Sequence, residues 1–241
     1  MLVKKIRREL RTFLQPVFYR LKVRRYCKPA LGNLDDLIEQ YIDFKNGFFV
    51  EAGANNGYSQ SNTYSLEALK GWRGLLVEPV PRLWRICKRN RPGSVSINAA
   101  LVSDEYASPI VELEDANLMT SVCAASGNKA FDANHIKRGR EMEQGSNCTT
   151  QRVSSPAKTL TQIFDENKVM RIDFMSLDVE GYEVEALKGL DLACYAPERI
   201  LVEVRDSQAV LDILGQNYEI EATLTDNGVY RDILYKKKAH G

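Results

Sequence analysis

From residue 46 onward, short apolar runs alternate with stretches in which apolar side chains return every three or four positions. Phe48-Phe49-Val50-Glu51 reads as a buried strand, and a helix is expected to start after Gly57 and run through Tyr64 to Leu69. Leu75-Leu76-Val77-Glu78 is the next strand, a helix follows through Leu83 and Ile86, and Ser94 to Leu101 supplies a third strand. Further on come a helix near Lys158 to Phe164, the strand Ile172 to Leu177, a helix beginning near Gly181 and the strand Ile200 to Val204. The tail adds a helix near Gln208 to Leu214 and strands near Tyr218 to Ala222 and Tyr230 to Tyr235, around the turn sequence Thr225-Asp226-Asn227-Gly228. The alternation predicts an α/β domain, residues 46–241. Its mainly parallel seven-stranded sheet would end in a C-terminal antiparallel hairpin and carry helices on both faces.

Two stretches depart from the alternation. In residues 1–45, Val3, Ile6, Leu10, Phe13, Val17 and Leu21 fall at three- and four-residue steps between lysines and arginines, which predicts a basic amphipathic helix bent at Pro16. A second helical stretch is expected near Leu34 to Phe44. The basic helix has two possible uses: packing on the main domain with a solvated charged face, or peripheral contact with an anionic membrane surface. From about 103 to 155 the alternation fails in a run rich in Asn, Ser, Glu and Gly, expected to form an irregular acceptor-side or lid segment.

Composition narrows the choices. At 241 residues and 44% hydrophobic content the chain supports one sizeable core. Its formal net charge of +1 removes the case for a globally basic nucleic-acid binder, although the basic excess gathers at the N-terminus. Cys27, Cys87, Cys123, Cys148 and Cys194 are widely spaced and the histidines are His135 and His240, so neither a zinc site nor a disulfide framework is indicated. A reducing, cytoplasmic setting is the expectation. No apolar stretch is long enough to cross a bilayer, and Asn147-Cys148-Thr149 reads as a polar loop rather than a glycosylation site.

The strongest chemical signal is Glu51-Ala-Gly53-Ala-Asn55-Asn56-Gly57, between a predicted strand and a predicted helix. Glycines there let the backbone approach a ligand at the carboxyl end of a strand, where open α/β sheets bind cofactors. A dinucleotide loop reads G-x-G-x-x-G and brings a pyrophosphate to a helix N-terminus. Here the carboxylate of Glu51 would oppose a pyrophosphate and favour the ammonium and sulfonium of S-adenosylmethionine. Glu78, about twenty residues beyond Gly57 at the end of the second strand, suits a ribose diol, and Asn98-Ala99 would border the adenine.

The runs FFVEAGANNGYSQSNTYSLE, GWRGLLVEPVPRLW, INAALVSDE, IDFMSLDVEGYEVEALKGL and ILVEVRD resemble the FkbM family of S-adenosylmethionine-dependent methyltransferases. The resemblance covers roughly residues 47–205, with Asp178-Val179-Glu180-Gly181-Tyr182-Glu183 as its most specific part. It implies a Rossmann-like, class I methyltransferase fold, donor binding around Glu51, Gly53, Asn55, Gly57 and Glu78, and O-methylation of hydroxyls on sugars, glycans or natural products. It does not name the acceptor.

Methyl transfer from a sulfonium needs alignment and, for a hydroxyl, removal of a proton. Asp178 is assigned to that step, with Glu180 supporting the loop or substrate; the competing role for Asp178 is to cap the helix after Gly181. His135, in the irregular segment, is a candidate base carried by a lid. Asp178 and Glu203 stand at neighbouring strand ends, like the acidic pair that holds magnesium in catechol-type O-methyltransferases, so Mg²⁺ is a candidate cofactor; Glu203 could instead pair with Arg205. Two other functions compete. A nicotinamide-dependent oxidoreductase would need the third glycine that is missing here and a Tyr/Lys pair, whereas Tyr182 is followed four positions later by Ala186. A non-catalytic membrane-surface protein would rest on the basic helix alone.

Overall fold

The computed structural model describes residues 14–115, 121–122 and 151–239. His135, the glycosylation-like triplet and Val3, Ile6, Leu10 and Phe13 of the basic helix lie outside the described residues.

The main sheet is built from β1 (Phe48–Ala52), β2 (Arg73–Val77), β3 (Val95–Ile97), β8 (Phe174–Leu177), β9 (Arg199–Val204), β10 (Tyr218–Asp226) and β11 (Arg231–Lys237). Its order is β10-β11-β9-β8-β1-β2-β3. All neighbours are parallel except β11, which runs antiparallel to both β9 and β10. This is the seven-stranded sheet with a terminal hairpin that the sequence predicts. The apolar runs pack on both faces. Val50, Leu75, Met175 and Val202 belong to one buried cluster and Phe49, Leu76, Phe174 and Leu201 to another. Alternate residues of each parallel strand therefore serve opposite layers.

The helices connect these strands: α3 (Tyr64–Lys70), α4 (Pro81–Asn90), α5 (Leu160–Glu166), α6 (Glu183–Lys188) and α7 (Ser207–Leu214). Local signals fix their ends. Pro81 opens α4 at a position that needs no amide donor, and Thr159 and Gln162 form a reciprocal capping box on α5. The helix expected directly after Gly57 begins only at Tyr64. Asn56 Oδ1 accepts from the amides of Tyr58 and Ser59 at 2.9 and 2.7 Å and folds the intervening chain into turns instead.

Two other expectations change. The strand predicted over Ser94 to Leu101 is divided: β3 joins the main sheet, whereas β4 (Ala100–Leu101) turns away to pair with β7 (Gln151–Lys158). The stretch expected to be irregular carries strands in its described parts. β5 (Ile110–Asp115) pairs antiparallel with β7 and with β6 (Ser121–Val122), giving a four-stranded sheet in the order β4-β7-β5-β6. Its polar, Ser-rich alternation suits strands with only one covered face, which weakens the apolar signal used to find them. Val111 and Leu113 are the buried side of β5, packed with Ala100 and Val102.

Before the sheet, a helical segment over 14–21 (α1) precedes α2 (Leu34–Glu39), which is shorter than the stretch expected to reach Phe44. One side of α1 is docked on the domain. Buried Gln15 donates to Tyr64 Oη at 2.6 Å and to the carbonyl of Asn90 at 3.0 Å, and Tyr19 Oη donates to Glu67 Oε1 at 2.9 Å.

Candidate active site

The chain leaves β1 toward β2 and β3 on one side, and β8 leads to β9 on the other. The junction of β1 and β8 is thus the point where the sheet reverses direction, and open α/β sheets place their ligands at the carboxyl ends of such strands. A cleft of about 930 Å³, its open mouth included, lies there, lined by the ends of β1, β2 and β8 together with Ala99–Leu101 and Leu113. Gly53 makes this junction possible. Its φ is 84°, and a Cβ there would sit 1.8 Å from the carbonyl oxygen of Asp178, so a larger residue would force β1 and β8 apart.

Glu78 is buried at the end of β2. One of its oxygens accepts from the Asn55 amide at 2.7 Å and the other from the Val80 amide at 2.8 Å. Two backbone donors fix the carboxylate in the cleft wall. Glu51, Gly53, Asn55, Glu78 and Ala99 all line the cleft, as the sequence reading expects. The other three donor-site candidates are absent from its lining. Asn98 Nδ2 donates to the carbonyls of Glu78 and Pro79 and braces that turn rather than facing a base. Asn56 folds its own loop, and Gly57 is the seat of α4, since a Cβ there would meet Arg91 Cγ at 2.8 Å and Cys87 Sγ at 2.9 Å.

The expected role of Glu51 also changes. Its carboxylate accepts from the Asn62 amide at 2.9 Å, Ser61 Oγ at 2.9 Å, Thr63 Oγ1 at 2.7 Å and Arg91 Nη1 at 3.3 Å. Those four donors leave little capacity for a sulfonium or ammonium, so Glu51 shapes the loop behind the cleft. Arg91, with no exposed side-chain surface, completes the arrangement by donating Nε to Glu67 Oε2 at 2.8 Å. Nothing in the sequence marks Arg91, because Lys88-Arg89-Asn90-Arg91 reads as an ordinary solvated helix end.

On the other side of the cleft, β8 ends in Asp178 and the chain turns through Glu180 and Gly181, with φ of 58° and 95°. Asp178 does not cap the following helix: α6 has no side-chain cap at its start, and Glu183 Oε1 takes the amides of Val179 and Gly181 at 3.0 and 2.9 Å. Asp178 Oδ1 is instead buried without a hydrogen-bond partner among the described residues, while the residue lines the cleft. Such an orphan is unusual in a native fold.

Carboxyl oxygens of Asp178, Glu183 and Glu203 lie within 4.8 Å of one another. Arg205 Nη2 donates to Glu203 Oε1 at 2.6 Å and to Glu180 Oε2 at 3.4 Å, and its Nη1 is buried without a partner among the described residues. One guanidinium thus faces an excess of carboxyl groups. Burial, then the neighbouring acids Glu203, Glu180, Glu183 and Asp232, hold Asp178 well above the usual carboxyl range. Burial likewise raises Glu203 to about 8 against the opposing pull of Arg205, and it raises Glu183 and Asp232 as well. The structure therefore brings Asp178, Glu180 and Glu203 together as the sequence suggests and adds Glu183, Asp232 and Arg205. Glu183 was within reach of sequence reasoning, because it closes the Asp178 to Glu183 motif. Tyr182 and the polar run Ser59 to Asn62, which also line the cleft, carry no distinguishing pattern.

Comparison with known proteins identifies the family of this chain. A family model described as the methyltransferase FkbM domain matches residues 51–229. The methyltransferase sdnD of Sordaria araneosa is 26% identical over 198 residues, covering 76% of this chain and 73% of that protein. Among solved structures, a TehB-like SAM-dependent methyltransferase from Corynebacterium glutamicum aligns at a TM-score of 0.45 and 11% identity, over 92% of this chain and 100% of that one. TrmK of M. capricolum, solved with S-adenosyl-homocysteine, aligns at 0.46 and 12% identity, over 87% and 69%. The strand order, rather than these scores, carries the fold assignment.

Proposed function

The chain belongs to the FkbM methyltransferase domain family, and from that premise we propose that it transfers the methyl group of S-adenosylmethionine to a hydroxyl oxygen of a sugar, glycan or natural product. The observation that carries the oxygen assignment is Asp178, whose buried, partnerless Oδ1 belongs to a residue lining the same cleft as Glu78 and the glycine loop. A hydroxyl is a weak nucleophile until its proton has somewhere to go.

The acidic cluster supplies that destination. With its carboxyl groups crowded around a single guanidinium, it keeps protons that isolated acids would release. A cationic donor held in the cleft would favour the ionised form of Asp178, the form that can act as a base. The donor, when bound, would supply an activated methyl group, and Asp178 would take the proton that the acceptor hydroxyl gives up as its oxygen gains the methyl. Glu78 would hold the donor's ribose diol, Gly53 would let the backbone come close to it, and Arg205 offsets the negative charge of the cluster.

The test is turnover of methyl-labelled S-adenosylmethionine over a panel of hydroxylated acceptors, with the methylated atom identified by NMR. Asp178→Asn should lower turnover by roughly 10² to 10⁴ while leaving S-adenosylhomocysteine affinity and melting temperature intact. Methylation at nitrogen or carbon, or undiminished turnover in the variant, would contradict the proposal.

A second reading adds a divalent cation, favoured by the convergence of the Asp178, Glu183 and Glu203 carboxyl oxygens. These hard oxygen donors fit Mg²⁺, which when bound would act as a Lewis acid toward the acceptor hydroxyl. Arg205 already occupies part of Glu203, so the ion would share the site with a guanidinium. On this reading Mg²⁺ raises the melting temperature of the wild type but not of Glu183→Gln, and chelation abolishes turnover. Turnover indifferent to chelation leaves Asp178 acting without metal.

A further inference from the structure

We propose that the outer face of α1 and the turn that follows it form a docking surface for an anionic lipid bilayer. The two uses open to the basic helix are compatible, because the structure assigns them to opposite faces. Gln15 and Tyr19 point inward and bond the domain. Val17 and Leu21, one helical turn apart, are 49% and 67% exposed. Arg20, Lys22, Arg24 and Arg25 are exposed beside them. A helix held by one polar side and presenting aliphatic and basic side chains together on the other has the composition of an element lying in a membrane interface. Apolar groups there enter the acyl boundary while cations meet the phosphates.

Charge selects the partner. Residues 1–28 contain 10 of the chain's 33 Lys and Arg but only 1 of its 32 Asp and Glu, leaving 23 basic and 31 acidic residues in the remainder. An anionic surface attracts the first segment and repels the rest, so the chain would approach in one orientation, α1 first. No helix of the described residues is long and apolar enough to cross a membrane, so contact of this kind would be peripheral. A purely electrostatic polyanion such as RNA explains the basic side chains but gives no use to Val17 and Leu21.

The experiment is flotation of the full chain with vesicles of phosphatidylcholine alone or containing about one-third phosphatidylglycerol. Binding is expected only to the anionic vesicles. Val17→Ser with Leu21→Ser should weaken it by about tenfold at unchanged charge. Arg20→Gln, Lys22→Gln and Arg25→Gln should each weaken it by about fivefold. Because all five positions are exposed and none lines the cleft, melting temperature and S-adenosylhomocysteine affinity should stay at wild-type values, which separates this proposal from the assignment of the active site. Equal binding to neutral vesicles, no binding to either, or anionic binding untouched by the Val17/Leu21 double substitution would overturn it. The last of these, together with displacement by single-stranded RNA, would identify a nucleic-acid surface instead.

Discussion

Two arginines, the buried Arg91 and the part-buried Arg205, each gather carboxyl groups, and they differ in how completely their surroundings are satisfied. Arg91 donates to Glu67, Glu51, Ser61, Thr63 and the Gly57 carbonyl, with no guanidinium nitrogen left over. Arg205 meets more carboxyl groups with fewer bonds: Nη2 carries two, Nη1 has none among the described residues, and Asp178 Oδ1 beside it is equally bare. The residue types are the same in both places. What separates the two clusters is unfilled hydrogen-bonding capacity, present around Arg205 and absent around Arg91, and the proposed function gives that capacity to the reaction.

Removing each guanidinium is the harshest way to break the comparison. Arg91→Met strands Glu51 and Glu67 in the interior and should cost about 3–5 kcal/mol of stability in urea titrations. Arg205→Met should cost less, about 1–2 kcal/mol, because its partners can take up protons instead. Equal losses would mean that the Arg205 cluster is as much a framework as the other. A smaller effect is expected on the donor side. Glu78→Gln can accept only one of the two wall amides and loses charged hydrogen bonding to a ribose diol, which should weaken S-adenosylhomocysteine binding by about 1.5–3 kcal/mol in calorimetry. Unchanged affinity would remove Glu78 from the donor site.

A further effect concerns pH. Glu203 holds its proton more tightly in the folded chain, to about 8, than in the unfolded one. Its contribution to stability is therefore intact below the ordinary carboxyl range and is lost as pH rises toward and through 8. Stability should fall as pH rises through that window, and Glu203→Gln should flatten the slope. A slope that rises with pH, or one unaltered by the substitution, would show that Arg205 keeps Glu203 ionised throughout.

The sheet was legible because parallel strands covered on both faces leave uninterrupted apolar runs such as Phe48 to Val50 and Leu75 to Val77. β5 and β7 were not, since a sheet covered on one side alternates polar and apolar residues and resembles a loop. The site was half legible. Glycine spacing and strand-end acids located Gly53, Asn55, Glu78, Ala99, Asp178 and Glu203. Sequence cannot show who satisfies whom, so Glu51 was expected to meet the donor when Ser61, Asn62, Thr63 and Arg91 occupy it. Asn98 was expected at the adenine when it braces the Glu78 turn. The nicotinamide alternative, already short of a glycine, gives way to the methyltransferase family match over residues 51–229.

The central claim is that the Arg205 cluster holds a proton at neutral pH. Infrared titration of the wild type against Asp178→Asn and Glu203→Gln reads this directly through the carbonyl stretch of protonated carboxylic acids, and it needs no knowledge of the acceptor. The account predicts that stretch at neutral pH in the wild type, fading as pH passes about 8 and diminished in both variants. A wild-type spectrum without it at neutral pH, or one that neither substitution changes, would contradict the account.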